Sequence, residues 1–303
     1  MPDVPDKIPQ PTTNPTNILG KQIRLADGRQ LGYTEYGDPQ GKPIFHSHGW
    51  VSSRLEFDHN HDIAKTLGAR VISVDRPGVG LSDFQPGRRI LDWPDDITQL
   101  ADTLGIDRFA VSGWSFGGPY AAVCAYKISH RLTAVGLIAA IAPLNRPGAM
   151  QGMMRPGRLI LGLGKKAPWI LRPIAWRIGR MVRSSPQGFV EKMSASLPAA
   201  DLEVYSRLGI GTGLAESVEE MFRTGNRGAY WDGVAFLRPW GFRVEDIRMK
   251  VSLWQGDADL SVPLQMGEYY ASAIPDCAAT FYANEGHLIF FSHAEEIIGA
   301  LIL

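Results

Sequence analysis

The stretch Gly113-Trp114-Ser115-Phe116-Gly117 decides how this chain is read. Phe109-Ala110-Val111-Ser112 before it has the apolar run of a short buried strand. Gly118-Pro119-Tyr120 and the alanine-rich residues after it open a helix with proline in the first turn. A serine on so tight a strand-to-helix turn is forced into strained backbone. Side chains two residues to either side would collide, so glycine stands at 113 and 117. The turn exposes the hydroxyl at a helix N-terminus, where the backbone dipoles favour developing negative charge. Such a turn is a nucleophile elbow, and its meaning depends on what accompanies it.

Three further segments do. His46-Ser47-His48-Gly49-Trp50 ends the apolar strand Pro43–Ser47 and presents the Trp50 N–H. With the Phe116 N–H it would make two preorganised donors for an oxyanion, each typically worth about 3 kcal/mol in a transition state. Gly256-Asp257-Ala258-Asp259-Leu260-Ser261-Val262-Pro263 follows the strand Val251–Trp254 and puts carboxylates at a strand's C-terminal end. Glu285-Gly286-His287 follows the strand Ala279–Tyr282 and brings an imidazole able to take and return a proton.

Around these segments, strands alternate with helices. Gln22–Ala26 and Gln30–Tyr36 form a hairpin about Asp27-Gly28. Val71–Val74 and Ala134–Ala142 are further strands. Ile63–Leu67, Asp95–Leu104, Leu264–Ala273 and His293–Leu301 are helices. The alternation predicts a mostly parallel sheet covered on both faces.

From about 143 to 243 the strand pattern stops. Between residues 146 and 192 stand Arg146, Arg155, Arg158, Lys165, Lys166, Arg172, Arg177, Arg180, Arg183 and Lys192 against a lone acid, Glu191. Tryptophans and methionines accompany them. The segment is expected to be a helical lid over the serine, with arginines around an apolar groove. Those cations could serve solubility or draw an anionic acyl donor, a carrier-bound one included. Ala167–Val182 could line an acyl pocket or, less expectedly, touch a membrane surface.

Taken together, His48-Gly49-Trp50, Asp75-Arg76-Pro77-Gly78-Val79-Gly80-Leu81-Ser82-Asp83, the elbow, Gly256 to Pro263 and Gly286-His287 resemble the α/β-hydrolase-fold serine hydrolases. The resemblance covers about residues 22–143 and 244–303. It implies the α/β-hydrolase fold with an inserted lid and a triad in the chain order Ser115, Asp259, His287. Asp257 is the rival acid, and Asp259 matches the family's usual place before Val-Pro. The 75–83 stretch is a loop signature of the family and is given no catalytic role. The resemblance further implies hydrolysis of carboxylic esters or related acyl compounds without a cofactor.

Other readings remain. A ligand-binding or regulatory relative could keep the triad with slow or no turnover. Lactone or C–C cleavage would depend on the lid. Proline iminopeptidases are similar but commonly carry Gly-Gly-Ser-Trp-Gly at the nucleophile. Serine at 115 argues against the dehalogenases and epoxide hydrolases, which use aspartate there.

Composition sets the outer bounds. The 303 residues carry zero formal net charge, which gives no sign of a nucleic-acid partner. Cys124 and Cys277 make no disulfide framework, and a reducing cytoplasmic setting is the simplest expectation. Residues 1–21 form a lead-in, with five prolines at 2, 5, 9, 11 and 15 and no secretory pattern. His46, His48, His59 and His61 lack the spacing of a zinc site, so no metal is expected.

Overall fold

The computed structural model describes residues 20–303, so most of the expected lead-in lies outside the described residues. Eight strands form one sheet: β1 (Lys21–Arg24), β2 (Gln30–Gly37), β3 (Lys42–Ser47), β4 (Ala69–Val74), β5 (Phe109–Trp114), β6 (Leu132–Ile138), β7 (Val251–Gly256) and β8 (Cys277–Tyr282). Their spatial order is β1-β2-β4-β3-β5-β6-β7-β8. β2 runs antiparallel to β1 and β4, and every later pairing is parallel. This is the α/β-hydrolase fold that the motifs implied.

Consecutive side chains on the central strands divide between two cores, as the two-residue period of a strand requires. Phe45, Ile72, Val111, Leu137 and Leu253 face one layer; Ile44, Val71, Ala110, Ile138 and Trp254 face the other. The second layer is closed by α1 (His61–Leu67) and, at the end of the chain, by the helix Ala294–Leu301. The first is closed by α2 (Trp93–Thr103), α3 (Gly118–Lys127) and the helix Leu264–Ala273. In α2, Pro94 and the acids Asp95 and Asp96 start the helix, while Ile97, Leu100 and Ala101 bury one stripe. Truncating Leu100, which is fully buried, to alanine would cost about 2–5 kcal/mol.

Between β6 and β7 the chain forms α4 (Arg155–Lys166), α5 (Leu171–Ser184), α6 (Pro186–Ser194), α7 (Ala199–Leu208), α8 (Gly211–Met221) and α9 (Arg227–Leu237). The later helices are α10 (Leu264–Ala273), α11 (Ile289–Ser292) and α12 (Ala294–Leu301). One strand reading ran too long. Apolar residues continue to Ala142, but β6 ends at Ile138, and Ala139 has φ +43°. Residues 139–142 stay buried because they pass beneath the elbow, where the Ile141 N–H donates to the Ser115 carbonyl at 3.0 Å. Hydrophobicity there reports burial and not extended backbone.

Candidate active site

Ser115 sits just past β5 with φ +57°, in the left-handed region that serine rarely occupies. The flanking glycines have steric causes. A Cβ at Gly113 would lie 2.2 Å from the Gly117 carbonyl oxygen, and one at Gly117 would lie 1.9 Å from that of Ser47. Both neighbours are backbone and cannot swing aside, so alanine at either position must distort the turn.

The structure brings Ser115, Asp259 and His287 together. The Ser115 Oγ is 3.0 Å from His287 Nε2, and His287 Nδ1 is 2.7 Å from Asp259 Oδ2. A carboxylate can only accept, so Nδ1 carries the proton and leaves Nε2 free to accept from the hydroxyl. The other Asp259 oxygen takes the Ser261 and Val262 N–H groups at 2.7 and 2.8 Å, fixing the carboxylate plane. Asp257 points elsewhere: its carboxylate accepts from the Asn284 N–H at 2.7 Å and ties down the loop after β8. Burial alone would lower the His287 pKa, but the charge and hydrogen bond of Asp259, helped by Asp201 and Glu56, raise it above the ordinary imidazole value.

The turn after β3 is held by two buried side chains, Glu56 and Arg76. Glu56, wholly buried, accepts the Gly49 N–H at 3.0 Å and faces His46 Nε2 at 2.9 Å. With that amide occupied, the next one, at Trp50, has no protein acceptor among the described residues. Phe116 stands second in its 3-10 turn, a position whose N–H has no partner within the turn. Arg76, also wholly buried, donates to the His48 carbonyl and, at 2.9 Å, to the Gly49 carbonyl. Its remaining N–H groups hold Asp232 of α9, which also takes Arg88 at 2.5 Å and the Tyr120 hydroxyl at 3.2 Å. Burial opposes the charge on Asp232, yet the two guanidiniums hold its pKa down at about 2. His48 is kept neutral by burial and by the Arg76 charge.

These supports were not evident in the sequence. Arg76 lies in a stretch read only as a loop signature, and its partner Asp232 is 156 residues away. Asp201 of α7 was likewise missed. It is buried, accepts the Leu288 N–H at 2.8 Å beside His287, and has one oxygen without a partner. Trp114, which stands between Gly113 and Ser115 in the elbow, donates from its indole to the His287 carbonyl at 3.1 Å. The clustered histidines go to separate partners: His46 also meets Ser112 Oγ, His48 bonds the Gly49 carbonyl, and His61 accepts from Gly37. No group of three or more His, Cys, Asp or Glu able to hold a metal occurs among the described residues.

Above Ser115 is a cavity of about 210 Å³. Its floor is Gly49–Ser52, Trp114–Phe116, Ser261, Val262, His287 and Leu288. Its roof is Val190, Met193, Ser194, Leu197, Tyr205, Leu214 and Val218, from α6 to α8. Two expectations change here. No arginine or lysine lines this cavity, and neither does any residue of Ala167–Val182. Helix α5 turns Leu171, Ala175, Gly179 and Val182 inward against other helices and its arginines out to solvent. The cavity has no Asp or Glu to meet a peptide's amino terminus.

Comparison with known proteins bears on the family and the fold. The model of the alpha/beta hydrolase family matches residues 44–300. The superfamily protein YisY of Bacillus subtilis is 26% identical over 288 residues, 92% of this chain and 96% of that one. The bifunctional esterase/perhydrolase DCH of Acinetobacter calcoaceticus is 31% identical over 125 residues, 40% of this chain and 45% of that one. Among solved structures, an esterase of Exiguobacterium antarcticum superposes with TM-score 0.65 at 17% identity, over 94% of this chain and 98% of that one. No described helix is long and apolar enough to cross a membrane. With a matching family model spanning most of its length and a sheet of the same architecture, the chain belongs to the alpha/beta hydrolase family.

Proposed function

We propose that this hydrolase cleaves carboxylic esters through an acyl-enzyme on Ser115. The observation that carries the reading is the continuous hydrogen-bond chain from Asp259 through His287 to Ser115, opening on an apolar cavity. Ser115 Oγ attacks the ester carbonyl carbon as His287 Nε2 takes its proton. The oxyanion receives the Trp50 and Phe116 N–H groups, which need no reorganisation as charge develops. His287, now an imidazolium steadied by Asp259, gives the proton to the departing alkoxide, and the alcohol leaves. Water then attacks the acyl-enzyme with His287 as base, and the acid is released with Ser115 restored.

A cavity of about 210 Å³ is smaller than the roughly 300–1,000 Å³ of sites for drug-sized ligands, so it suits a modest acyl group. Its lining of valines, leucines, methionine and aromatics, without an acid, lysine or arginine, favours a neutral apolar acyl chain over an anionic one. The esterase named among the relatives is consistent with this chemistry. The test is a series of p-nitrophenyl esters of increasing acyl length, assayed with wild type and Ser115→Ala. Medium chains should give higher kcat/KM than acetate, and Ser115→Ala should be inactive on all of them. Turnover by Ser115→Ala at the wild-type rate would refute the proposal.

A further inference from the structure

We infer that the outer surface of α4 and α5 docks on an anionic lipid bilayer. The inner stripes of the two helices are committed: α4 buries Leu161 and Gly164, and α5 buries Leu171, Ala175, Gly179 and Val182. The eight Arg and Lys side chains between residues 155 and 184 all stand exposed, and the segment has no acid. None of the eight lies within 4 Å of a carboxylate among the described residues. Elsewhere on the chain Arg29, Arg70 and Arg131 each hold an acid at 2.6–2.8 Å. Single cations without an acid partner occur elsewhere too, but here eight fall within thirty residues that contain no acid.

Large apolar side chains stand among those cations. Trp169 is 69% exposed, Leu159 62%, Trp176 52% and Leu163 42%. Leu159 and Leu163 border the same shallow groove as Arg155, Arg158 and Lys166, and the Arg180 guanidinium lies 5.6 Å from the Trp176 ring. Solubility alone would be served by the cations and worsened by the tryptophans and leucines. An anionic bilayer uses both: guanidinium and ammonium groups meet lipid phosphates, indoles settle at headgroup depth, and leucines reach the acyl boundary. An acidic protein or a nucleic acid would match the charge but gives the exposed leucines no comparable solvent. Because α6 to α8 of the same insertion roof the Ser115 cavity, docking through α4 and α5 would hold that cavity near the membrane. The binding itself does not depend on the chemistry at Ser115.

The test is flotation of the full chain with phosphatidylglycerol/phosphatidylcholine vesicles and with phosphatidylcholine vesicles alone. Wild type, Arg172→Gln/Arg177→Gln/Arg180→Gln and Trp169→Ser/Trp176→Ser are compared. Circular dichroism and hydrolysis of a water-soluble ester report folding, and both should match wild type, since none of these residues lines the cavity. Wild type should float with the anionic vesicles only. The arginine variant should lose roughly a hundredfold in partitioning and the tryptophan variant roughly tenfold. Failure of wild type to float with anionic vesicles at low salt would overturn the inference. So would equal flotation with neutral vesicles. Loss in the arginine variant with none in the tryptophan variant would also overturn it, marking a surface for an acidic macromolecule.

Discussion

Replacing Asp259 by asparagine changes one atom, and the surrounding hydrogen bonds dictate how the new side chain must sit. Oδ1 of Asp259 accepts two backbone N–H groups, from Ser261 and Val262. The asparagine must keep its carbonyl oxygen there, because an NH₂ in that place would face two donors. Its NH₂ then occupies the Oδ2 position, 2.7 Å from His287 Nδ1. A donor at that distance forces Nδ1 to accept, so the imidazole proton moves to Nε2, which faces Ser115 Oγ at 3.0 Å. Nε2 can then no longer take the serine proton. The expected loss is about four orders of magnitude in kcat, or ~5 kcal/mol, with the fold intact. Steady-state hydrolysis of a p-nitrophenyl ester measures it, with thermal unfolding as the check on structure. Asp257→Asn is the control: it keeps an oxygen for the Asn284 N–H and should stay within about threefold of wild type, as surface substitutions usually do. Asp259→Asn activity within tenfold of wild type, or a larger loss in Asp257→Asn, would refute the reasoning.

Three further outcomes are expected. The free base of His287 is the active form and its pKa is raised, so kcat/KM should climb with pH through an inflection above the ordinary imidazole value of about 6.5; an inflection at or below that value in a pH–rate profile would contradict the assigned partners. Asp201→Asn keeps an oxygen for the Leu288 N–H but removes a charge that raises the His287 pKa, so the inflection should move to lower pH with the plateau rate little changed, whereas Asp201→Ala should also lower the plateau. Asp232→Asn leaves Arg76 and Arg88 buried without their counter-ion; it should cost about 3–5 kcal/mol in urea unfolding and lower kcat through the turn that carries Trp50. Because the folded-state pKa of Asp232 is depressed to about 2, its contribution to wild-type stability should be present above the unfolded carboxylate range near pH 4 and lost as pH falls toward 2.

The sheet and the elbow were legible because local patterns determine them. Glycine at 113 answers to the backbone of the same turn, although that at 117 answers to Ser47 on β3, and the two-residue period of β3 to β7 sorts side chains onto two faces. Asp257 and Asp259 sit in one short loop, and only the resemblance, through the place before Val262-Pro263, favoured Asp259. The structure separates them: Asp259, held by two backbone donors, reaches His287, whereas Asp257 accepts from the Asn284 N–H. The supports of the site were illegible for a different reason. Arg76 with Asp232, and Asp201 with Leu288, are contacts between loops that follow β4 and β8 and an insertion whose path no local pattern fixes. Counting arginines between 146 and 192 gave the charge of the lid but not its direction. Helical phase decides that, and the buried stripe of α5 turns Arg172, Arg177 and Arg180 away from the cavity.

The most direct test of the central claim is the mass of the covalent adduct formed with a fluorophosphonate. One equivalent should add to wild type, and peptide mapping should place it on Ser115. His287→Ala should react far more slowly, and Ser115→Ala should not react at all. An adduct on another serine, or stoichiometric labelling of Ser115→Ala, would contradict the account.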